Sequence, residues 1–196
     1  MIVAVVGPSG SGKTTLARWL AEEFFGEERA TFLSADNFYQ PGLPDDALDA
    51  PAAFDFPLLA EKIRELQSGA PVKIPHYNFV SRTREEEALE ISPREILVVE
   101  GLFLLTAPEI AALAEKKIFV DLPPERQMAR RLLRDAKRLA GAGESLAEQI
   151  ERFLENALPG WQKFGAPQRG LADLVVSNAG DLGAAQEELR RFFSAS

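Results

Sequence analysis

The chain has 196 residues, and its 22 Lys and Arg against 30 Asp and Glu give a formal net charge of −8, which argues against an extended nucleic-acid interface with its clustered cations. The absence of cysteine excludes disulfides and cysteine nucleophiles, and a single histidine, His76, leaves no histidine-based metal site. A hydrophobic fraction of 46% over this length predicts one globular domain, residues 1–196, rather than a disordered chain.

Short apolar runs alternate with helical patterns along most of the chain. The predicted buried strands are Ile2–Val6, Thr31–Ser34, Ile96–Val99, Lys117–Asp121 and Leu174–Ser177. The predicted helices are Lys13–Phe25, Pro57–Gln67, Pro108–Ala114, Pro124–Leu139, Leu146–Leu154 and Leu182–Phe193. This alternation predicts an α/β fold, a three-layer sandwich in which helices cover both faces of a five-stranded, mainly parallel sheet.

Two segments depart from this alternation. Asp36–Asp55 holds three prolines and five aspartates, and its composition predicts a long ordered loop, a feature that is often functional. Val72–Ser92 has strand-like pieces at Val72–Ile74 and Ala88–Ile91 around the charged stretch Arg82–Glu87. We expect this segment, 72–92, to form a small β-hairpin outside the main sheet.

The first predicted strand is followed by a phosphate-binding pattern, G-x-x-x-x-G-K-[ST]. It is formed by Gly7, Pro8, Ser9, Gly10, Ser11, Gly12, Lys13 and Thr14. Glycines let successive N–H groups point at phosphate oxygens, the lysine reaches the terminal phosphates, and the threonine hydroxyl can ligate Mg²⁺. A bare glycine-rich turn is the alternative, but both the residues and their position after a strand match the motif. The sequence therefore predicts a P-loop NTPase fold that binds a nucleotide, without specifying the reaction.

Other nucleotide-dependent classes lack their signatures. A GTPase carries an Asn-Lys-x-Asp motif, whereas every asparagine here is followed by Phe or Ala. The Ser-Gly-Gly signature of transporter ATPases is also absent.

Two carboxylates follow predicted strands, at the sheet edge where ligands of parallel sheets gather. Asp36 comes just after the second strand, in a position that suits a general base, although an aspartate in a turn would look the same. Glu100 ends the apolar run Ile96–Val99, where a buried carboxylate needs a partner. Hydrated Mg²⁺ is one such partner, and a salt bridge is the other.

Arginines repeat every four residues at Arg126, Arg130, Arg134 and Arg138, with Arg131 beside them. Such a stripe is usually a solvated helix face. In an acidic protein it also suits a phosphate clamp, because the guanidinium group pairs well with phosphate oxygens.

Three further residues have two interpretations each. Asp55 precedes a predicted helix and would either cap it or accept hydrogen bonds from a sugar diol. Tyr77 and Phe79 would either stack on a planar acceptor or belong to the core.

Taken together, these segments resemble the uridine kinase family of P-loop small-molecule kinases, which is related to phosphoribulokinase. The resemblance covers nearly the whole chain. It is carried by Gly7–Thr14, Asp36-Asn37-Phe38-Tyr39, Ala53-Phe54-Asp55, Ile74-Pro75-His76-Tyr77-Asn78-Phe79, Glu100-Gly101, Phe119-Val120-Asp121, Arg130-Arg131-Leu132-Leu133-Arg134-Asp135 and Ala172-Asp173.

The resemblance implies a role for each group of residues. The implied catalytic residues are Asp36, as base for a ribose 5′-hydroxyl, with Lys13, Arg131 and Arg134. The implied ATP-binding residues are Gly7, Pro8, Ser9, Gly10, Ser11, Gly12, Lys13, Thr14, Thr15 and Asp181. The implied acceptor-binding residues are Asp55 at the ribose, and Tyr39, Tyr77, Phe79, Arg82, Arg131 and Gln149. The implied Mg²⁺ ligands are Thr14, Glu100 and Asp36, and residues 124–155 would form a lid.

The acceptor side departs from the family pattern. Asn78 replaces a common Asp, Arg82 replaces a base-reading His, and Leu139-Ala140-Gly141 stand where the family often has Arg-Gly-Arg. We therefore predict ATP- and Mg²⁺-dependent transfer of the γ-phosphoryl group to the 5′-hydroxyl of uridine or cytidine, as in pyrimidine salvage. A related kinase for a sugar phosphate or another metabolite alcohol is the first alternative, and a regulatory nucleotide-binding module without transfer activity is the second.

The expected partners follow from composition and resemblance. The resemblance implies a small-molecule acceptor as partner, and the acidic net charge argues against nucleic acid. We expect no membrane association, because no apolar run reaches the length of a membrane span. The amino-terminal segment lacks the basic residues of a signal peptide, so we expect a cytoplasmic protein. A homo-oligomer remains open, since proteins of this kind are often oligomeric.

Overall fold

The central element of the fold is a parallel β-sheet, seen in a computed structural model that describes residues 1–44, 47–138 and 145–195, without the side chains of 135–138. Its strands are β1 (Ile2–Val6), β2 (Ala30–Ser34), β5 (Ile96–Gly101), β6 (Lys116–Asp121) and β7 (Leu174–Ser177). They lie in the order β2-β5-β1-β6-β7, and every pairing is parallel. The predicted five-stranded parallel sheet is confirmed.

The register of the sheet aligns the carboxyl ends of the neighbouring strands β2, β5 and β1. Glu100 on β5 pairs with Val5 on β1 and with Ser34 on β2. The phosphate-binding motif follows β1 directly, and Asp36 follows β2 by two residues. These groups therefore meet at one edge of the sheet, as expected for a ligand site in an open parallel sheet.

Helices cover both faces of the sheet. They are α1 (Lys13–Trp19), α2 (Phe56–Gln67), α3 (Pro108–Leu113), α4 (Pro124–Arg138), α5 (Leu146–Arg152), α6 (Leu158–Gly160) and α7 (Leu182–Ser194). On one face, buried residues of α1 and α7 such as Leu16 and Leu189 pack in the same cluster as Val5 on β1. On the other face, residues of α2 and α3 such as Ile63 and Ile110 pack in a second cluster. The two clusters give the predicted three-layer sandwich.

The hairpin outside the main sheet is longer than predicted. It consists of β3 (Val72–Asn78) and β4 (Thr83–Ile91), which pair antiparallel with a register shift between Ile74 and His76. The charged stretch predicted as its middle, Arg82–Glu87, mostly lies inside β4. The prediction was wrong here because β4 is largely exposed, so its glutamates face water without cost and the usual strand pattern is missing.

The segment that follows α5 is also more helical than predicted. Helical turns, some of them π-helical or 3₁₀, continue from Leu146 to Leu171, whereas the prediction ended at Leu154. The helical turns include Pro159 and Gly160, whose intrinsic helix preferences are low, and burial of Trp161 against the core outweighs them.

The predicted loop between β2 and α2 is ordered in its described residues. Short 3₁₀ helices form at Ala35–Phe38 and Pro51–Ala53, and an isolated bridge pairs Tyr39 with Phe54. The bridge therefore closes the loop at its base. Among the described residues, no helix has the length and apolar character needed to cross a bilayer.

Gln168 ties the last helical turns to the loop after β5. It is 1% exposed, its Oε1 accepts from Leu105 N–H at 2.8 Å, and its Nε2 donates to the Leu102 carbonyl at 2.8 Å and to the Gly165 carbonyl at 3.2 Å. A single buried side chain thus provides hydrogen-bond partners for three backbone groups, two in the loop after β5 and one in the last helical turns.

Replacing Gln168 with Leu should lower the free energy of unfolding by about 2–4 kcal/mol, because buried backbone groups lose their partner. Denaturant unfolding followed by circular dichroism measures the change. The exposed Gln162→Leu variant is the matched control and should stay within about 0.5 kcal/mol of the parent protein. Equal stabilities of the two variants would contradict the role given to Gln168.

Candidate active site

The phosphate-binding loop has the backbone shape that its motif predicts. Gly10 and Gly12 adopt φ angles of +82° and +83°, which favour glycine. Helix α1 begins at Lys13, directly after the loop, so the positive end of the helix dipole faces the loop. The Lys13 side chain lies in the cleft above the sheet edge and is largely buried.

A buried carboxylate connects the loop to its neighbouring strands. Glu100 is fully buried, and its Oε2 accepts from Thr14 Oγ1 at 3.1 Å and lies 4.0 Å from Lys13 Nζ. Its Oε1 accepts from Ser34 Oγ at 2.5 Å. Residues from β2, β5 and α1 therefore converge on one carboxyl group, and Lys13 forms the salt bridge that was the alternative to a metal.

Burial raises the pKa of the Glu100 carboxyl above its ordinary value; the Lys13 ammonium lowers it, and the nearby Asp36 carboxylate raises it. The hydroxyls of Ser34 and Thr14 favour the ionised form. The site holds more negative charge than Lys13 alone compensates. A divalent cation bound by oxygen ligands would satisfy this arrangement, and Mg²⁺ prefers such ligands.

One large cavity, of about 1350 Å³, extends from the phosphate-binding loop to the hairpin. Its lining includes the sequence-predicted residues Ser9, Gly10, Gly12, Lys13, Thr14, Thr15, Asp36, Tyr39, Tyr77, Phe79, Arg82, Glu100, Arg131 and Arg134. Most of the predicted nucleotide and acceptor residues thus line a single space. Its volume exceeds that of a typical small-molecule pocket, so it has room for more than one small ligand.

Three aromatic rings, those of Tyr39, Tyr77 and Phe79, form the wall of the cavity on the side of the hairpin. The ring centroids of Tyr39 and Tyr77 lie 5.2 Å apart, those of Tyr39 and Phe79 lie 5.4 Å apart, and those of Tyr77 and Phe79 lie 5.0 Å apart. Tyr77 is 3% exposed, and its hydroxyl has no hydrogen-bond partner among the described residues. The wall is apolar, with the Phe79 ring nearly perpendicular to both tyrosine rings, and it includes one buried hydroxyl without a partner among the described residues.

The tip of the hairpin is held by Asn78. Its Oδ1 accepts from Val80 N–H at 2.9 Å and from Ser81 N–H at 3.1 Å, and its carbonyl accepts from Arg82 N–H at 2.7 Å. Arg82 adopts a φ of +56°, in the left-handed region, and lines the cavity. An Asp at position 78 would accept the same two side-chain hydrogen bonds, so this departure from the family pattern preserves the turn.

Three arginines of the stripe on α4, Arg126, Arg130 and Arg134, donate hydrogen bonds to loops on the nucleotide side, although Arg126 is exposed. Arg134 Nη1 donates to Ser9 Oγ at 3.1 Å, and Arg126 donates to the Ala179 carbonyl. Arg130 donates to the carbonyls of Gly10, at 3.4 Å, and Asn178, at 2.9 Å. Arg131, on a neighbouring part of the helix surface, forms an ion pair with Asp49 in the loop after β2.

Asp49 is a cavity residue that sequence reasoning missed. Its carboxylate lines the cavity and lies 3.8 Å from Arg131 Nη1. Burial raises the pKa of the Asp49 carboxyl, and the charges of Arg131 and Arg152 lower it. Burial, followed by the charges of Asp36 and Asp49, holds the pKa of the Tyr39 hydroxyl well above its ordinary value. Both carboxylates therefore lie within electrostatic reach of the same tyrosine.

Asp55, by contrast, does not line the cavity. Its Oδ1 accepts from Leu58 N–H at 3.2 Å as the cap of α2, and its Oδ2 lies 3.2 Å from Arg84 Nη1. The structure thus supports the capping interpretation of Asp55. Nothing in the sequence distinguished Asp49 from the other aspartates of the loop, because only the folded loop shows which one faces the cavity.

Other predicted residues lie at the margins of the site. Gln149 is 9% exposed and its Oε1 lacks a hydrogen-bond partner among the described residues, but it does not line the cavity, unlike its neighbour Glu148. Asp181 occupies the position before α7 without a capping hydrogen bond. The departure at Leu139–Gly141 lies outside the described residues, and the side chain of Arg138 is likewise not described.

Comparisons with known proteins agree with the geometry. Residues 2–183 match the sequence model of the phosphoribulokinase/uridine kinase family. The chain is 36% identical over 186 residues to a uridine kinase of Deinococcus deserti, covering 91% of this chain and 88% of that protein. It is 33% identical over 188 residues to a uridine kinase of Lactobacillus helveticus, covering 92% of this chain and 88% of that protein.

A solved structure has the same fold. It is a protein of Silicibacter sp. TM1040 described as a fructose transport system kinase, with a TM-score of 0.73 and 25% sequence identity, over 89% of this chain and 88% of that one. The sheet order, the phosphate-binding loop and the sequence matches lead to the same conclusion: the chain belongs to the phosphoribulokinase/uridine kinase family.

Proposed function

We propose that the protein transfers the γ-phosphoryl group of ATP to the 5′-hydroxyl of uridine or cytidine. The observation that carries this proposal is the single cavity that joins Lys13 and Asp36 to the aromatic wall of Tyr39, Tyr77 and Phe79. A donor phosphate at one end and a planar acceptor at the other would meet beside Asp36. The uridine kinases that are similar over nine-tenths of the chain support the same acceptor.

The nucleotide side supplies positive charge and positions the triphosphate. The loop N–H groups, the amino end of α1 and the Lys13 ammonium would hold the phosphates. Thr14, Glu100 and Asp36 are the residues that fit Mg²⁺, which when bound would neutralise charge on the phosphate oxygens. Arg134 would stabilise the migrating phosphoryl group, and its contact with Ser9 in the phosphate-binding loop supports this role.

On the acceptor side, Asp36 is the proposed general base. The acceptor hydroxyl oxygen forms the new bond to the γ-phosphorus, and the bond to the β–γ bridging oxygen breaks. The hydroxyl proton passes to the Asp36 carboxylate, and ADP leaves with the bridging oxygen. In-line geometry requires the acceptor between Asp36 and the phosphate, which the continuous cavity allows.

The remaining acceptor contacts are assigned by position in the cavity. Asp49 would accept hydrogen bonds from the ribose hydroxyls, because its carboxylate lies in the cavity and that of Asp55 does not. Tyr77 would contact the nucleobase, and its unpartnered hydroxyl would donate to a base carbonyl. A cytoplasmic location fits this chemistry, since ATP and Mg²⁺ are available there.

A second candidate acceptor is a phosphorylated sugar. Arg82 lines the cavity next to the aromatic wall, and a guanidinium group there would pair with an anionic acceptor.

The Asp36→Asn variant should lower kcat by about 10²–10⁴-fold, since the general base is lost, while ATP binding stays nearly unchanged. Coupled ADP release and calorimetric ATP titration measure the two quantities. The Asp173→Asn variant is a matched control and should keep the parent kcat, because Asp173 is exposed, does not line the cavity and accepts a hydrogen bond from Lys117 N–H near the start of β6. Unaltered turnover of the Asp36→Asn variant would reject the base assignment.

The Asp49→Asn variant should raise the uridine KM by about tenfold to a hundredfold and leave the ATP KM unchanged. Asp55→Asn is the comparison, since it should lower stability and leave both KM values unchanged. The ribose contact would belong to Asp55 if only the second variant raised the uridine KM.

The pH dependence of stability tests Asp49 separately. A carboxyl whose pKa is raised by folding stabilises the fold below its unfolded pKa, and that contribution is lost as the pH rises through the folded pKa. As the pH rises from about 4 to about 8, the free energy of unfolding of the Asp49→Asn variant should therefore increase relative to that of the parent. Denaturant unfolding at both pH values measures this difference. A difference that is constant or falls with pH would contradict the buried, charge-disfavouring environment of Asp49.

A panel of acceptors distinguishes the functional alternatives. We expect ADP release with uridine and cytidine, and a roughly tenfold higher uridine KM for Tyr77→Phe with little change in kcat. Turnover restricted to phosphorylated sugars, and weakened by Arg82→Ala, would support the second candidate. Negligible, acceptor-independent turnover would indicate a regulatory nucleotide-binding module.

A further inference from the structure

Asn178 is a buried polar residue that the proposed chemistry does not use. It follows β7 directly and is 3% exposed. Its Nδ2 donates to the Ser11 carbonyl at 2.6 Å, and its backbone N–H donates to the Asp121 carbonyl at 3.0 Å. Its own carbonyl accepts from Arg130. Asn178 therefore connects the phosphate-binding loop to the ends of two strands and to α4.

The hydrogen bond to Ser11 fixes the orientation of one peptide group in the loop. In a trans peptide the C=O and the following N–H point in opposite directions. With the Ser11 carbonyl held by Asn178, the Gly12 N–H points away from Asn178, and Gly12 lines the cavity. An N–H group that faces the cavity in this loop is the kind of donor that binds phosphate oxygens.

The packing around this contact is tight. A Cβ atom on Gly12 would lie 2.4 Å from Asn178 Nδ2, and one on Gly10 would lie 3.0 Å from the Gln127 carbonyl oxygen. Arg130 adds a second connection, since it donates to both the Gly10 and the Asn178 carbonyls. Hydrogen bonds to the Gly10 and Ser11 carbonyls thus hold the outer side of the loop. The Ser11 N–H donates to the Pro8 carbonyl and the Lys13 N–H to Ser11 Oγ, which leaves the Gly12 N–H for a ligand.

We propose that Asn178 is a positioning residue for nucleotide binding, which sets the Ser11–Gly12 peptide so that its N–H meets a phosphate. The inference rests on the proposed ATP-dependent function only in taking the bound ligand to be a polyphosphate. It adds a residue from the far end of the chain to the nucleotide site, and it assigns to Arg130 a supporting contact rather than a phosphate contact.

Asn178→Asp tests the proposal, because the variant keeps the size of the side chain but places an acceptor against the Ser11 carbonyl. Asn178→Ala removes the contact without adding charge. Gln186→Glu is the matched control, since it makes the same amide-to-carboxylate change on α7, in a partly buried side chain. Calorimetry with ATP, with inorganic tripolyphosphate and with uridine gives the affinities, and thermal unfolding by circular dichroism confirms the folded state.

We expect both Asn178 variants to bind ATP and tripolyphosphate about tenfold more weakly or worse, with the larger loss for Asn178→Asp. Uridine affinity and kcat at saturating ATP should change much less. The KM for ATP would then rise while kcat is nearly kept, which a general loss of structure would not produce. Gln186→Glu should keep the parent affinities. Folded Asn178 variants that bind both polyphosphates with parent affinity would overturn the proposal.

If the Asn178 variants do not fold, nuclear magnetic resonance of the parent protein decides. The Gly12 amide resonance should shift on addition of tripolyphosphate, and the Asn178 side-chain amide should exchange slowly with solvent; the absence of either result would overturn the proposal. A parent protein that binds tripolyphosphate but phosphorylates no acceptor would refute the proposed function alone. Parent binding of neither ATP nor tripolyphosphate would refute both.

Discussion

The site depends on one buried carboxylate, Glu100, at the end of a central strand. A fully buried carboxylate is costly unless its partners compensate for lost hydration. Here hydroxyls from Thr14 and Ser34 and the ammonium of Lys13 meet the two oxygens. This requirement brings β2, β5 and the start of α1 to the same point. The position of Asp36, two residues beyond Ser34, follows from it.

The acceptor half of the cavity is assembled differently. It is built from the loop after β2, the hairpin and the helices after β6, all of which lie outside the central sheet. Asn78 shapes the hairpin tip, and the Asp49–Arg131 pair connects the loop to α4. Tyr39 and Tyr77 add apolar packing to these polar contacts, whereas the nucleotide half is fixed by the sheet itself. Differences in acceptor among members of a fold are expected to arise in such attached segments.

The parts of the structure that were predictable are those with strong local signals. The buried strands are continuous apolar runs, and the phosphate-binding loop combines a strict residue pattern with a required position between β1 and α1. Glu100 was identifiable because it ends an apolar run, and Asp36 because it follows a strand closely. Asp49 and Asn178 were not, since their contacts join segments far apart in the chain. The extent of β4 was missed because its glutamates are exposed to solvent and hide the usual strand pattern.

In the proposed reaction, one cavity brings the terminal phosphate of ATP and an acceptor hydroxyl together beside Asp36. A crystal structure with a non-hydrolysable ATP analogue, Mg²⁺ and uridine is the decisive test. We expect the γ-phosphate at Lys13 and the uridine 5′-oxygen within hydrogen-bond distance of the Asp36 carboxylate, with the base against Tyr77. A triphosphate bound elsewhere, or a uridine whose 5′-oxygen lies away from Asp36, would contradict it.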